Sequence, residues 1–347
     1  MNLCQLPPPL QPGDLLQVVA PCGAMREFEA FHKGVEIWRR RGYQVEISTT
    51  IDKRWGYLAG TDEIRRQQLL ESWLDPNVKG ILCARGGYGS TRLLEDWDWG
   101  DGETQKRPDE LPITNYQLPK WLIGFSDVTG LLWSLYQRGI SGVHGPLMTT
   151  IADEPDWSLQ RLFNWIEKHE LAPLKGIGWG GGKVSGILLP ANFTVATHLL
   201  GTPIQPELDN VILALEDVTE APYRIDRMLT QWRLSGMFKK VRGIALGRFS
   251  RCEPVAGIPS FSVEEVLRDR LSDLSLPIIS DLPFGHDGVN AALPVGIMAH
   301  LDADAGILTV DSGQWTVDSG QWTVDSGQWT VDSGQWTVDS GQWTVDS

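Results

Sequence analysis

Two hydrophobic periods alternate along the first third of the chain. The run LLQVVA (15–20) is almost wholly apolar and is closed by Pro21 and Gly23, which predicts a buried strand. Residues 26–41 carry a helical pattern with Gly42 as its stop. YQVEIS (43–48) alternates apolar and polar residues, as a half-buried strand does. TDEIRRQQLLESWL (61–74) predicts a helix, with Thr61 as its cap and with Asp62 and Glu63 at the positive end of its dipole. GILCA (80–84) is the next strand, followed by the loop RGGYG (85–89) and a further helical segment. WLIG (121–124) is a strand and 127–138 the helix after it. Strands and helices in this order predict a parallel sheet with crossover helices, whose sites lie at the carboxyl ends of strands. The loops after Ala84 and Gly124 are both at such ends.

The pattern then changes. Residues 101–119 are polar and proline-rich, which predicts a surface insertion. After the Gly-rich stretch 176–186, short apolar runs dominate: VILALE (211–216), GIALGRF (243–249) and GILTV (306–310), with one clear helix near 223–235. A domain boundary near 175 follows, separating an α/β domain (1–175) from a β-rich one (176–310). The tail, 311–347, repeats DSGQWTV five times. Trp and Val of QWTV would share one strand face, and DSG is good turn chemistry. Helical a/d spacing is absent, so the seven-residue period does not imply a coiled coil. A small meander and a disordered tail are both compatible with this pattern, and no role in the main activity is expected.

Bulk properties narrow the function. The chain has 347 residues, 41% of them hydrophobic, with a formal net charge of −14. That charge argues against nucleic acid as a partner. No apolar run is long enough for a membrane span. The N-terminus MNLCQLPPPLQPGD has neither the basic start nor the apolar centre of a signal peptide. Cys4, Cys22, Cys83 and Cys252 are far apart and form no CxxC, which suits reduced, buried thiols of a cytoplasmic protein. Cys22, in the loop APCGA, is the one with a loop context. The six histidines show no metal-ligand spacing, so neither a metal nor another cofactor is expected.

Candidate chemistry collects at two turns. RGGYG is not a P-loop, because no Gly-Lys-Ser/Thr follows, and GGGK (180–183) fails the same test. Adjacent glycines after a strand still allow bare N–H groups to face an anion, though a plain turn is an equal reading. LIGFSDVTGLL (122–132) places Ser126 at a strand-to-helix corner. Gly124 precedes it as in G-x-S-x-G, but Val128 replaces the second glycine. Ser126 is a helix cap or an exposed nucleophile, and the local pattern leaves both open. A nucleophile needs a base and an orienting acid. His144 (GVHGP) and His286 (LPFGHDGVN) lie in glycine-flanked loops, and Glu216 ends an apolar run at the mouth of a strand. Ser126, Glu216 and His286 give the chain order Ser, acid, His.

The motifs GYLAGTDEIRRQQLL, ARGGYGS, IGFSDVT, VHGP, LALEDVTEAPYRIDRML and LPFGHD resemble the LD-carboxypeptidases, a serine peptidase family that includes the microcin C immunity peptidases. The resemblance runs from about Gly13 to Val310. It implies a Ser126–Glu216–His286 triad and an oxyanion hole from the backbone N–H groups of Gly87 and Asp127. It implies an N-terminal Rossmann/flavodoxin-like domain with a smaller β-rich C-terminal domain. It also implies a cytoplasmic, metal-free homodimer that removes the terminal D-alanine of murein tetrapeptides during cell-wall recycling. Alternatives are a microcin-immunity-type peptidase acting on peptidyl or aminoacyl nucleotides, and a murein-peptide-binding protein with a vestigial triad. Two features depart from the family: LPANF (189–193) stands where members often have GGNL, and the 101–119 insertion is long.

Overall fold

A computed structural model describes residues 3–95, 97, 99 and 119–312, together with four short strands within the C-terminal repeats. The insertion expected over 101–119 lies outside the described residues except for Pro119. Among the described residues no helix is long and apolar enough to cross a membrane.

The alternation seen in the sequence is realised. Strands β1 (Leu15–Val19), β2 (Gln44–Ile47), β3 (Val78–Cys83), β4 (Trp121–Gly124) and β5 (Val143–His144) pair in parallel in the order β2-β1-β3-β4-β5. The crossovers carry helices α1 (Phe28–Arg40), α2 (Asp62–Leu74), α3 (Ser90–Leu93) and α4 (Thr129–Gln137), and α5 (Asp156–Lys168) follows β5. Thr61 caps α2 as its sequence requires, its hydroxyl accepting the Ile64 N–H at 3.4 Å. All four residues of β4 are buried, which explains its unbroken apolar run. The strand order turns back between β1 and β3, so their following loops flank the crevice where such sheets bind ligands.

The second sheet holds β6 (Leu174–Lys175), β7 (Ile177–Gly178), β8 (Lys183–Asn192), β9 (Val211–Val218), β10 (Gly243–Ser250) and β11 (Ile278–Ser280). The next strand, β12 (Leu293–Pro294), leaves this sheet and pairs antiparallel with β5, Leu293 opposite His144. β13 (Ile297–Asp302) and β14 (Ile307–Val310) complete the second sheet, in the order β6-β14-β13-β8-β9-β10-β11-β7. Its centre, β8 to β11, is parallel. Three helices, α6 (Phe193–Leu199), α7 (Pro222–Leu234) and α8 (Val263–Leu271), make the crossovers. The sequence pattern shows only α7 clearly. α6 has seven residues, FTVATHL, too few for a helical period to emerge. α8 carries a capping box between Ser262 and Glu265 that the apolar pattern does not reveal.

Residues 1–312 form one compact unit and 313–347 another. Within the tail, Trp322–Val324 pairs antiparallel with Gly327–Trp329, and Trp336–Asp339 with Gln342–Val345. These strands overlap the QWTV segments and form two separate hairpins.

A wholly buried arginine fastens the loops at the carboxyl edge of the first sheet. Arg65, on α2, donates to the carbonyls of Pro21 after β1 and Gly89 after β3 and pairs with Asp62. Asp62 in turn holds Arg92 at 2.6 Å. A buried cation survives only with such partners. Arg65→Met should therefore leave both carbonyls unpaired and destabilise the fold by about 2–3 kcal/mol, measured as a lowered urea midpoint.

Candidate active site

The corner after β4 is built from small residues and close contacts. A Cβ at Gly124 would lie 3.0 Å from the Cys83 side chain and 3.1 Å from Val128, so glycine lets the strand enter the turn. Phe125 is extended, and Ser126 then adopts φ +63°, in the left-handed region that disfavours an L side chain. A short 3₁₀ turn, Ser126–Val128, leads into α4. The Ser126 side chain caps neither this turn nor α4. Its hydroxyl is half-buried at a strained corner, the geometry of a nucleophile elbow. Val128 needs no positive φ in this turn, so the missing second glycine is no obstacle.

The loop after β3 comes against this corner from the other side. A Cβ on Gly86 would lie 3.0 Å from both Cβ and Oγ of Ser126. Gly87, next in the chain, has φ +108°. The loop is tied down at each end: Gly23 N–H donates to the Gly86 carbonyl at 3.1 Å, and Ser90 N–H donates to Asp127 Oδ2 at 2.8 Å. Ser90 Oγ also donates to the Asp127 carbonyl. The Asp127 side chain thus couples the two turns. Burial raises its pKa, opposed by the Ser90 N–H. Among the described residues, neither the Gly87 nor the Asp127 amide N–H has an acceptor.

The candidate histidine and acid come from the second sheet. Glu216, on β9, is fully buried, and its Oε2 lies 2.6 Å from His286 Nδ1. Its Oε1 accepts from Asn192 Nδ2 at 3.2 Å. A carboxylate on Nδ1 fixes that nitrogen as the donor and leaves Nε2 unprotonated in the neutral ring. His286 packs on Phe125, ring centroids 4.6 Å apart, which places it beside Ser126 in the fold. No hydrogen bond joins His286 to Ser126 among the described residues. Gly285 has φ +132°, and a Cβ there would meet the Arg248 backbone, so the residue before the histidine must be glycine. Its N–H donates to Asn290 Oδ1 at 3.1 Å, and Asn290 N–H donates to the buried Glu154.

The other glycine-flanked histidine plays a different part. His144 is fully buried between Phe125 and Phe284, and neither ring nitrogen has a partner among the described residues. Burial pushes its pKa down to about 4, so it stays neutral at ordinary pH. Cys22 is buried and its thiol is pushed well above the usual range by burial and by Asp127, which leaves it unreactive. All four cysteines are buried and free. Gly180, Gly181 and Gly182 all have positive φ and make the turn into β8. Sequence reasoning misses Asn192, which sits inside the departing LPANF segment. Its Oδ1 caps α6 by accepting from Val195 N–H at 3.1 Å, and its N–H donates to Thr129 Oγ1 at 2.9 Å. Its Nδ2 also reaches Asp217, whose pKa is pushed up to about 6 by burial and by Glu216. The cap signal was legible only to a reader who already knew that α6 is a helix.

A cavity of about 260 Å³ opens beside the β3 loop, lined by Gly23, Arg26, Tyr57, Arg85, Gly87 and Tyr88.

The chain is similar to known proteins over most of its length. A family model described as the LD-carboxypeptidase N-terminal domain matches residues 16–145, and one described as the LD-carboxypeptidase C-terminal domain matches residues 185–301. A Synechocystis sp. protein named "Putative carboxypeptidase slr1534" is 59% identical over 303 residues, covering 87% of this chain and 96% of its own. The murein tetrapeptide carboxypeptidase of Pseudomonas aeruginosa is 30% identical over 304 residues, covering 83% of this chain and 92% of its own. The crystal structure of muramoyltetrapeptide carboxypeptidase from Oxalobacter formigenes matches with a TM-score of 0.73 at 30% identity, over 87% of this chain and 99% of that one.

The buried imidazole has a measurable consequence. His144 takes up a proton near pH 4 in the fold but near 6.5 in the unfolded chain. Between those values the unfolded state binds more protons, so stability is full above about 6.5 and is lost as the pH falls toward 4. The raised Asp217 contributes with the opposite sign, but equally in wild type and a His144 variant. Urea unfolding of wild type and His144→Phe at pH 7 and pH 4.5 should show wild type losing roughly 2 kcal/mol more than the variant over that interval.

Proposed function

The chain belongs to the LD-carboxypeptidase family, and from that premise we propose that it is a serine peptidase releasing the terminal D-alanine of murein tetrapeptides. Ser126 is the nucleophile, His286 the base and Glu216 the orienting acid. The observation that carries this reading is the left-handed Ser126, free of any capping role, next in the chain to Phe125, on which the Glu216-bonded His286 packs.

The proposed steps use the groups described above. Ser126 Oγ attacks the scissile carbonyl while His286 Nε2 takes its proton. The buried Glu216 keeps the tautomer and stabilises the imidazolium. The open N–H groups of Gly87 and Asp127 receive the oxyanion, and a donor of this kind typically contributes about 2.7–4 kcal/mol. D-alanine leaves with the proton from His286. Water, deprotonated by the same imidazole, then releases the acyl group. The Ser126–His286 hydrogen bond forms when substrate occupies the site, as catalytic hydrogen bonds commonly tighten only in the Michaelis complex. Work in the cytoplasm as a homodimer completes the reading that the family resemblance implies.

D-alanine release from murein tetrapeptide tests the assignment directly. Ser126→Ala and His286→Ala should each lower kcat by several orders of magnitude with the fold retained, because triad members act as a unit. Glu216→Gln should cost less than either. Near-wild-type activity in Ser126→Ala would remove the nucleophile assignment. Cleavage of an aminoacyl nucleotide amide in place of D-alanine release would favour the microcin-immunity reading.

The repeat tail should be dispensable, since every proposed catalytic residue lies before Val310 and the repeat contains neither His nor Glu. Truncation after Asp311 should leave kcat/KM within about threefold of the full chain, a barrier change below about 0.7 kcal/mol. Steady-state kinetics on both proteins, with circular dichroism to check the fold, gives the answer.

A further inference from the structure

We infer that the cavity beside Gly87 is a carboxylate subsite, in which Arg85 and Arg26 read the C-terminal carboxylate of the substrate. The inference rests on the peptidase reading above and names what makes the enzyme act at a chain end.

Position is the first argument. Gly87 supplies one of the proposed oxyanion donors and also lines the cavity. In a substrate that loses one residue, only three covalent bonds separate the scissile carbonyl carbon from the terminal carboxylate carbon. One residue advances the chain by about 3.8 Å between α-carbons. A group that recognises the chain end must therefore adjoin the oxyanion hole, and this cavity does.

Chemistry is the second. Among the six lining residues are two arginines and two tyrosines. This is a cationic pocket in a chain of net charge −14. Arg85 is half-buried and pre-set: its Nη1 donates to the Ala24 carbonyl at 3.2 Å, and its Nε lies 3.3 Å from Glu27 Oε2. Gly23 leaves the space that the Arg85 guanidinium occupies, since a Cβ there would collide with it. Arg85 Nη2 has no acceptor among the described residues, and Arg26 has neither ion pair nor hydrogen bond among them. Planar guanidinium is the group suited to bidentate carboxylate recognition. Tyr57 and Tyr88, with ring centroids 5.9 Å apart, put two phenols at the same rim. Glu27 occupies part of the Arg85 fork at an exposed position, and the substrate carboxylate replaces it.

The test compares murein tetrapeptide as the free acid with the same peptide as its C-terminal carboxamide. Wild type should prefer the acid by about 30-fold or more in kcat/KM, the size expected for a charge-assisted hydrogen-bonded pair. Arg85→Gln should reduce that preference to about threefold by raising KM for the acid. Arg26→Gln, at an exposed position that does not threaten the fold, should reduce it in the same direction. A tetrapeptide with lysine at its third position carries no carboxylate on the diamino acid side chain. If its turnover falls as far as that of the carboxamide, and Arg85→Gln abolishes this difference instead, the carboxylate read is the side-chain one and the terminal assignment is overturned. Calorimetric binding of acid and carboxamide to Ser126→Ala separates the two readings. Tighter binding of the acid, without D-alanine release by wild type, supports the subsite and overturns only the peptidase reading. Equal binding of the two peptides, or no binding of either, overturns the subsite.

Discussion

A serine held at φ +63° costs of order 1–3 kcal/mol relative to a relaxed corner, and the carboxyl edge of the first sheet is arranged to hold it there. Gly124 lets β4 run close to Cys83 before the turn, and Gly86 lets the neighbouring loop lie against the hydroxyl with no side chain between them. Asp127 ties that loop to the corner through Ser90, while Arg65 fastens the loops after β1 and β3 from beneath. The strain is therefore balanced by a set of buried hydrogen bonds, of which the Ser90–Asp127 pair also ties the β3 loop to the Ser126 corner.

The second constraint is that the two sheets must meet. Ser126, Gly87 and Asp127 belong to the first sheet, whereas Glu216 and His286 come from the second. Two features join them near the site. β12 crosses back to pair with β5 opposite His144, and Asn192 spans from Thr129 at the start of α4 to the Glu216 carboxylate. Both Glu216 oxygens are thereby hydrogen-bonded, which a fully buried carboxylate requires. Asn192 is also the cap of α6, so local helix formation and long-range acid positioning depend on one amide.

The surroundings of the pair divide by polarity. Phe125 lies between His286 and His144, and the neutral His144 adds aromatic packing without adding charge. Across the β3 loop the environment reverses, with Arg85, Arg26 and two phenols around the cavity. A substrate bound there would present its reacting carbonyl to the amides between an apolar wall and a cationic one.

Much of this was legible in the residues alone. Apolar periodicity located β1, α1, β2, α2, β3 and β4 within a few residues, because burial on one or both faces imposes that periodicity directly on the sequence. The glycine-flanked turns, the Ser126 corner and the acid ending the apolar run were visible for the same local reasons. The family motifs marked Ser126, Glu216, His286, Gly87 and Asp127 as candidates. Three matters were decided only in three dimensions. Pattern left Ser126 as cap or nucleophile, and the structure removes the capping role, because a backbone dihedral at a corner depends on what packs against it, here Gly86 and the Ser90–Asp127 link. Pattern left His144 and His286 equivalent, since both sit among glycines. The sheet order brings Glu216 to His286 across 70 residues and buries His144 against two phenylalanines. The return of β12 to the first sheet was invisible, because a two-residue strand has no period of its own. Short-range sterics and burial are written into neighbouring residues, whereas the pairing of distant ones exists only once the sheets have packed.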